Sequence, residues 1–313
     1  MFLVSDFDGL NCEEVQFTTS KKKKLTGYIY SAGEAQRGVV VMAHGYGGGG
    51  HNSYMDAANF FSQNGYYVFA YDSLGTDKSE GKGTGGLPQG IIDLEQALSF
   101  VMQHPNLSKL PIFLFGHSWG GYCVSNVLNF FPSVKAVISV SGFNHSSDLI
   151  FYQGKSMVRS VIYLVMPFIK IYEQLKYGKY AKATAINGFK NSNAAIMVVH
   201  SLDDVVVPPK YGHDLYLKIF KENSRFTFLL FKDRGHEDIL IDENDTYVEE
   251  FNSKFRQWLK KIEQGRSKKE NKKRYAYERA EYITTYLDRN RWSNRIDKNI
   301  FTQFLDFYDE NSK

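Results

Sequence analysis

The sequence predicts an α/β architecture, with helices on both faces of a mostly parallel, eight-stranded sheet. Two observations predict it. Short apolar runs of strand length recur along the chain, and stretches of helical period separate most of them. That alternation implies right-handed crossovers and a sheet covered on both sides. The third clue is positional. The loops richest in glycine and chemically useful side chains all follow strands, at the carboxyl edge where such sheets bind ligands.

Residues 13–18 and 25–31 alternate apolar and polar and read as two strands. Lys21-Lys22-Lys23-Lys24 between them suits a solvated hairpin turn. Gly38-Val39-Val40-Val41-Met42-Ala43 is continuously apolar, as a strand buried on both faces must be. It runs into His44-Gly45-Tyr46-Gly47-Gly48-Gly49-Gly50, and a helix follows over about 53–64. Tyr66 to Tyr71 form the fourth strand, ending at Asp72, and a polar loop extends to Gly81. A helix over 88–103 leads to the fifth strand, Leu110 to Phe115. Strands six to eight are read at 134–140, 194–200 and 225–231, with helices near 209–221 and 244–262.

Two segments break the alternation. Residues 142–190 are longer than one crossover helix needs, and their run Val161 to Ile169 is apolar nearly all round. An insertion of that length reads as a helical lid. Residues 1–141 and 191–262 then make the core. Residues 263–274 are basic and polar and read as a linker. Residues 275–313 read as a helical extension, with helical spacing at Tyr275, Tyr282 and Tyr286 and again at Ile300, Phe304 and Phe307.

The chain has 313 residues, 43% of them hydrophobic, which is enough for a large core. A net charge of +4 is too small to argue for a nucleic-acid partner. Cys12 and Cys123 are the two cysteines, and their separation matches no metal or redox spacing. A reducing compartment follows. Asp6 and Asp8 fall where a secretory signal needs a basic start and an apolar core. No apolar run approaches the ~18 residues of a spanning helix. The expectation is a soluble cytoplasmic protein with no metal, no cofactor and no transmembrane segment. A homodimer through the C-terminal extension is a further expectation.

Gly116-His117-Ser118-Trp119-Gly120-Gly121 lies between the fifth strand and an apolar-faced helix. A strand, a sharp glycine-flanked turn and a helix form a nucleophile elbow of the G-x-S-x-G type. The serine hydroxyl needs a base within hydrogen-bond reach, and the base needs an orienting acid. Of eight histidines, His236 follows the eighth strand in a glycine turn, downstream of Ser118. Asp203 and Asp204 follow the seventh strand and are both candidates for the acid.

With these residues in place, the sequence resembles the α/β-hydrolase superfamily over about residues 12–262. It is most similar to the lidded serine esterases, monoacylglycerol lipases and related serine peptidases. Five motifs in order carry the resemblance: His44-Gly45-Tyr46-Gly47, the Asp72-to-Gly81 loop, Gly116 to Gly120, Asp204-Val205-Val206-Val207-Pro208, and Gly235-His236. Asp77 departs from the pattern, standing where the loop usually has its second glycine. The resemblance implies Asp204 as the acid, because it matches the first position of D-x-x-V-P. It also implies an oxyanion hole from the backbone N–H groups of Tyr46 and Trp119.

The expected function is hydrolysis of a small-molecule carboxylic ester, with a short-to-medium or aromatic acyl group, through an acyl-enzyme on Ser118. A serine peptidase of aminopeptidase or acylaminoacyl type is the alternative. A non-catalytic binding protein of the same fold ranks below both, because the set of Ser118, Asp204 and His236 is intact. Phe143, Phe151, Tyr163 and Phe168 are expected to line the substrate pocket, with Tyr152 beside them.

Overall fold

A computed structural model describes residues 2–19, 22–34, 37–47 and 49–312. Met1, Lys21, Gly48 and Lys313, which figure in the expectations above, lie outside the described residues. Among the described residues, eight strands form one sheet in the order β1-β2-β4-β3-β5-β6-β7-β8. They are β1 (Asn11–Thr18), β2 (Lys24–Ser31), β3 (Gly38–Ala43), β4 (Tyr66–Tyr71), β5 (Ile112–His117), β6 (Ala136–Val140), β7 (Ala195–Ser201) and β8 (Phe226–Phe231). β2 runs antiparallel to both of its neighbours, and the remaining pairs are parallel. The fold is the one the alternation predicts.

The helices are α1 (Met55–Gln63), α2 (Gln89–Gln103), α3 (Trp119–Asn126), α4 (Ser146–Val158), α5 (Val161–Tyr177), α6 (Ala185–Asn191), α7 (His213–Phe220), α8 (Tyr247–Ile262), α9 (Lys268–Tyr286), α10 (Arg289–Ser293) and α11 (Lys298–Glu310). Strand residues alternate between two cores, as the pleat requires. Val39, Val41 and Leu114 pack on one face with α2 and α3. Val40, Met42 and Phe113 pack on the other with α1.

The C-terminal residues change that second core. Ile300, Phe301, Phe304 and Tyr308 of α11 are buried within it. The Tyr308 hydroxyl donates to the Leu114 carbonyl at 2.8 Å, reaching the central strand that leads to Ser118. α11 is therefore one of the helices covering the sheet. Phe301→Ala should destabilise the fold by about 3–5 kcal/mol through lost burial and a cavity. Urea unfolding checks this, and an unchanged midpoint would mean that α11 is dispensable.

The linker expected over 263–274 is corrected by α9, which occupies that stretch from Lys268 onward. Ser267 and Glu270 form a reciprocal cap: Glu270 N donates to Ser267 Oγ at 3.3 Å, and Ser267 N donates to Glu270 Oε2 at 2.9 Å. Lysine, arginine and glutamate are good helix formers, so a charge-rich stretch behind such a cap folds as a helix. Tyr282 of α9 packs between Phe251, Phe255 and Trp258 of α8.

Candidate active site

Ser118 stands between β5 and α3 with φ +58° and ψ −117°. A left-handed backbone at a non-glycine residue is strained, and here it points the hydroxyl away from the sheet. The turn closes only because its flanks lack side chains. A Cβ on Gly120 would collide with the Ala43 carbonyl oxygen, and one on Gly116 would strike the Gly120 carbonyl. Trp119 opens α3, so its N–H has no carbonyl one turn back to bond.

His236 joins the serine to the acid. Its Nε2 lies 2.8 Å from Ser118 Oγ, and its Nδ1 lies 2.7 Å from Asp204 Oδ2. A carboxylate at Nδ1 assigns the ring proton there, leaving the Nε2 lone pair to accept from the hydroxyl. Asp204 is held in turn by the amides of Val206 and Val207, both donating to Oδ1, at 2.9 and 2.8 Å. Burial alone would raise the Asp204 carboxyl. Its bonds to His200, His236 and Val207 overcome that and hold it well below the usual carboxylate range. Asp203 does something else. Its Oδ1 accepts from Ser201 Oγ at 2.6 Å and from Gly235 N at 2.9 Å, which ties down the turn carrying His236.

A second network surrounds the base. His117 Nε2 donates to the His236 carbonyl at 2.9 Å, so its Nδ1 accepts from the Tyr54 hydroxyl at 2.8 Å. Tyr54 in turn accepts from Gly45 N at 3.3 Å, linking this chain of bonds to the loop that carries Tyr46. Burial pushes His117 down to about 3, so it stays neutral. His44 anchors the same loop. Its Nδ1 donates to the Gly45 carbonyl at 2.7 Å, and its Nε2 accepts from Ser73 N at 3.0 Å. Asp77, the departure from the expected loop pattern, has φ +42°. Glycine adopts that conformation freely, and aspartate is among the side chains that tolerate it. Tyr54 gives no signal in the sequence, since a single tyrosine at a helix start matches no motif.

His51 and Asp72 form another buried pair, with Nδ1 2.9 Å from Oδ1. Asp72 also accepts from Tyr28 Oη, at 3.1 Å, and the His51 ring stacks on Tyr28. Asp77 brings a third ligand-type atom into this group. The hydrogen bonds among these residues shape the loop from Asp72 to Gly81.

Two cavities meet at Ser118 and His236. The larger, about 610 Å³, is walled by Trp119, Phe143, Leu149, Ile150, Ile169 and Tyr172 among others. Two glutamates line it: Glu173 enters the apolar wall, buried and bonded by Ser146 Oγ at 3.0 Å, and Glu237, exposed, lies next to His236. Burial raises Glu173 above its ordinary value. The smaller cavity, about 190 Å³, is bounded by Tyr54, Asp56, His117 and Leu240.

Of the four residues expected in the pocket, Phe143 lines the larger cavity and the other three do not. Phe151 packs edge-on against Tyr163, and Phe168 is 72% exposed. Tyr152 donates its hydroxyl to the Val205 carbonyl at 3.1 Å. The reason is helical phase. α5 turns Ile162, Met166, Glu173 and Tyr177 inward, so Tyr163 and Phe168 fall about a quarter-turn or more off that face.

Residues 34–182 match the family described as serine aminopeptidase, S33. The uncharacterised protein YfhR of Escherichia coli K12 is 24% identical over 249 residues, which span 78% of this chain and 80% of that protein. Thiohydrolase aneE of Aspergillus aculeatus is 30% identical over 145 residues, which span 44% of each chain. Among solved structures, the esterase Pf2001 of Pyrococcus furiosus superposes with a TM-score of 0.57 at 21% identity, covering 80% of this chain and 91% of the esterase.

Proposed function

We propose that this chain is a serine hydrolase of the α/β-hydrolase superfamily that cleaves carboxylic esters through an acyl-enzyme on Ser118. The observation that carries the reading is the relay from Ser118 Oγ through His236 to Asp204, with both bonds under 3 Å. Ser118 Oγ attacks the ester carbonyl carbon while His236 Nε2 takes the hydroxyl proton. His236 then returns that proton to the departing alkoxide, and Asp204 stabilises the imidazolium between the two steps. The amides of Trp119 and Tyr46 receive the oxyanion, where losing one such donor typically costs ~2.7–4 kcal/mol. Water, activated by the same imidazole, releases the acid.

Residues 142–190 act as a lid in this reading. Leu149, Ile150, Ile169 and Tyr172 roof the larger cavity beside Ser118. An apolar cavity of that size favours short-to-medium or aromatic acyl groups over acetate, by up to ~0.8 kcal/mol for each methylene buried. The test pairs active-site labelling with a substrate series. A fluorophosphonate adduct should map to Ser118, and kcat/KM should rise from p-nitrophenyl acetate toward the medium-chain esters. Labelling at another serine removes the mechanism, and a flat series removes the acyl preference.

One observation favours a second reading, a serine peptidase. The Glu173 carboxyl in the cavity wall is an acceptor suited to a substrate's free amine. On that reading, Glu173→Gln lowers kcat/KM for an aminoacyl anilide at least about tenfold relative to a neutral ester. A constant ratio between the two substrates, or no anilide turnover in the parent chain, rejects it.

A further inference from the structure

α5 is apolar on two opposite faces. The inward face, with Ile162 and Met166, is buried. At about 100° per residue, Val161, Leu164, Phe168, Ile171, Tyr172 and Leu175 fall within roughly 100° of arc on the far side. All six are exposed, Leu164 by 75% and Leu175 by 82%. Met157 and Val158 extend the patch across the turn from α4. A contiguous apolar patch on this scale marks an interaction surface.

Charge identifies what meets it. Residues 142–190 hold seven lysines and arginines and two acids, a net charge of +5 against +4 for the whole chain, so the remaining residues sum to −1. Lys155, Arg159, Lys170, Lys176, Lys179 and Lys182 are all exposed. Neither acid is: Glu173 is buried and Asp148 is partly buried. An apolar stripe on a segment of net charge +5, with no exposed carboxylate in that segment, fits the headgroup region of an anionic bilayer. Two copies of this face would set like charges against each other. Among the described residues no helix is long and apolar enough to cross a membrane, so the mode is lying on the surface. The patch is also continuous with the site, because Tyr172 belongs both to the exposed stripe and to the wall of the larger cavity.

We infer that the α4–α5 hairpin docks on anionic lipid surfaces, setting the mouth of the Ser118 cavity against the bilayer. A lipid-dissolved substrate enters between the apolar stripe and the cavity without crossing bulk water. The docking stands independently of which bond Ser118 cleaves.

The test is co-flotation of the full chain with phosphatidylcholine vesicles, with and without about one-third phosphatidylglycerol. Binding is expected to the anionic vesicles and should weaken as salt is raised. The double variant Leu164→Glu/Leu175→Glu keeps good helix formers at exposed positions and lines neither cavity. It should lose vesicle partitioning by about a hundredfold or more while retaining hydrolysis of a dissolved p-nitrophenyl ester. Ser118→Ala should still float with the vesicles, which separates docking from catalysis. The inference is overturned by absence of vesicle binding, by equal binding of the double variant, or by a dimer in light scattering that the double variant dissolves.

Discussion

Ser118→Ala and His236→Ala should each lower ester turnover by about four to six orders of magnitude, with the fold intact. The size of the effect follows from the geometry. Ser118 Oγ has one base within reach, His236 Nε2 at 2.8 Å, and a serine hydroxyl without a base is a poor nucleophile near neutral pH. The two losses should not add. Once either partner is gone the relay no longer works, so the double variant should resemble each single one. What remains would come from the oxyanion hole and from binding. Single-turnover kinetics on a p-nitrophenyl ester reads all three variants. Full activity in Ser118→Ala would place the nucleophile elsewhere. Strongly additive losses would mean that the two side chains act separately.

Asp204→Asn should reduce turnover by roughly four orders of magnitude, and Asp203→Asn by far less. Asparagine at 204 can present its amide N–H to His236 Nδ1, which moves the ring proton to Nε2 and points a donor at the serine. The carboxylate in the parent chain stays ionised through neutral and mildly acidic pH, because its histidine and amide partners outweigh its burial. Asp203 bonds Ser201 and Gly235 rather than the imidazole, so its loss loosens the His236 turn without reversing the tautomer. The comparison is of kcat for the two variants, with circular dichroism confirming that both fold. The opposite ranking would mean that Asp203 is the acid in the working enzyme.

Much of the fold and of the site is legible in the amino-acid sequence. The eight strands are readable because each combines strand length with an apolar run or a period of two, and glycine or polar residues punctuate the runs. The elbow is readable because its steric demands fall on single residues. Gly116 and Gly120 have no room for a Cβ, so that need shows directly in the sequence. His236 is readable from chain order. The choice between Asp203 and Asp204 is not readable from the residues themselves. Two adjacent carboxylates on a loop point different ways, and backbone geometry decides which one meets the ring.

The features that only the tertiary structure decided share one cause: local composition leaves phase and partner open. Val161 to Ile169 is apolar all round, so no periodicity says which side of α5 faces the cavity. Burial of Ile162, Met166 and Tyr177 settles it, and it turns Tyr163 and Phe168 outward. The basic stretch after Lys260 looks like a linker until the Ser267–Glu270 cap starts a helix. α11 looks like an appendage until Phe301, Phe304 and Tyr308 are seen completing one face of the sheet. Tyr54 and His117 lie 63 residues apart, and their hydrogen bond exists only because α1 begins at the edge where β5 ends. A sequence can specify a side chain's chemistry and the period of its element. Which groups stand within hydrogen-bond reach of one another depends on how those elements pack.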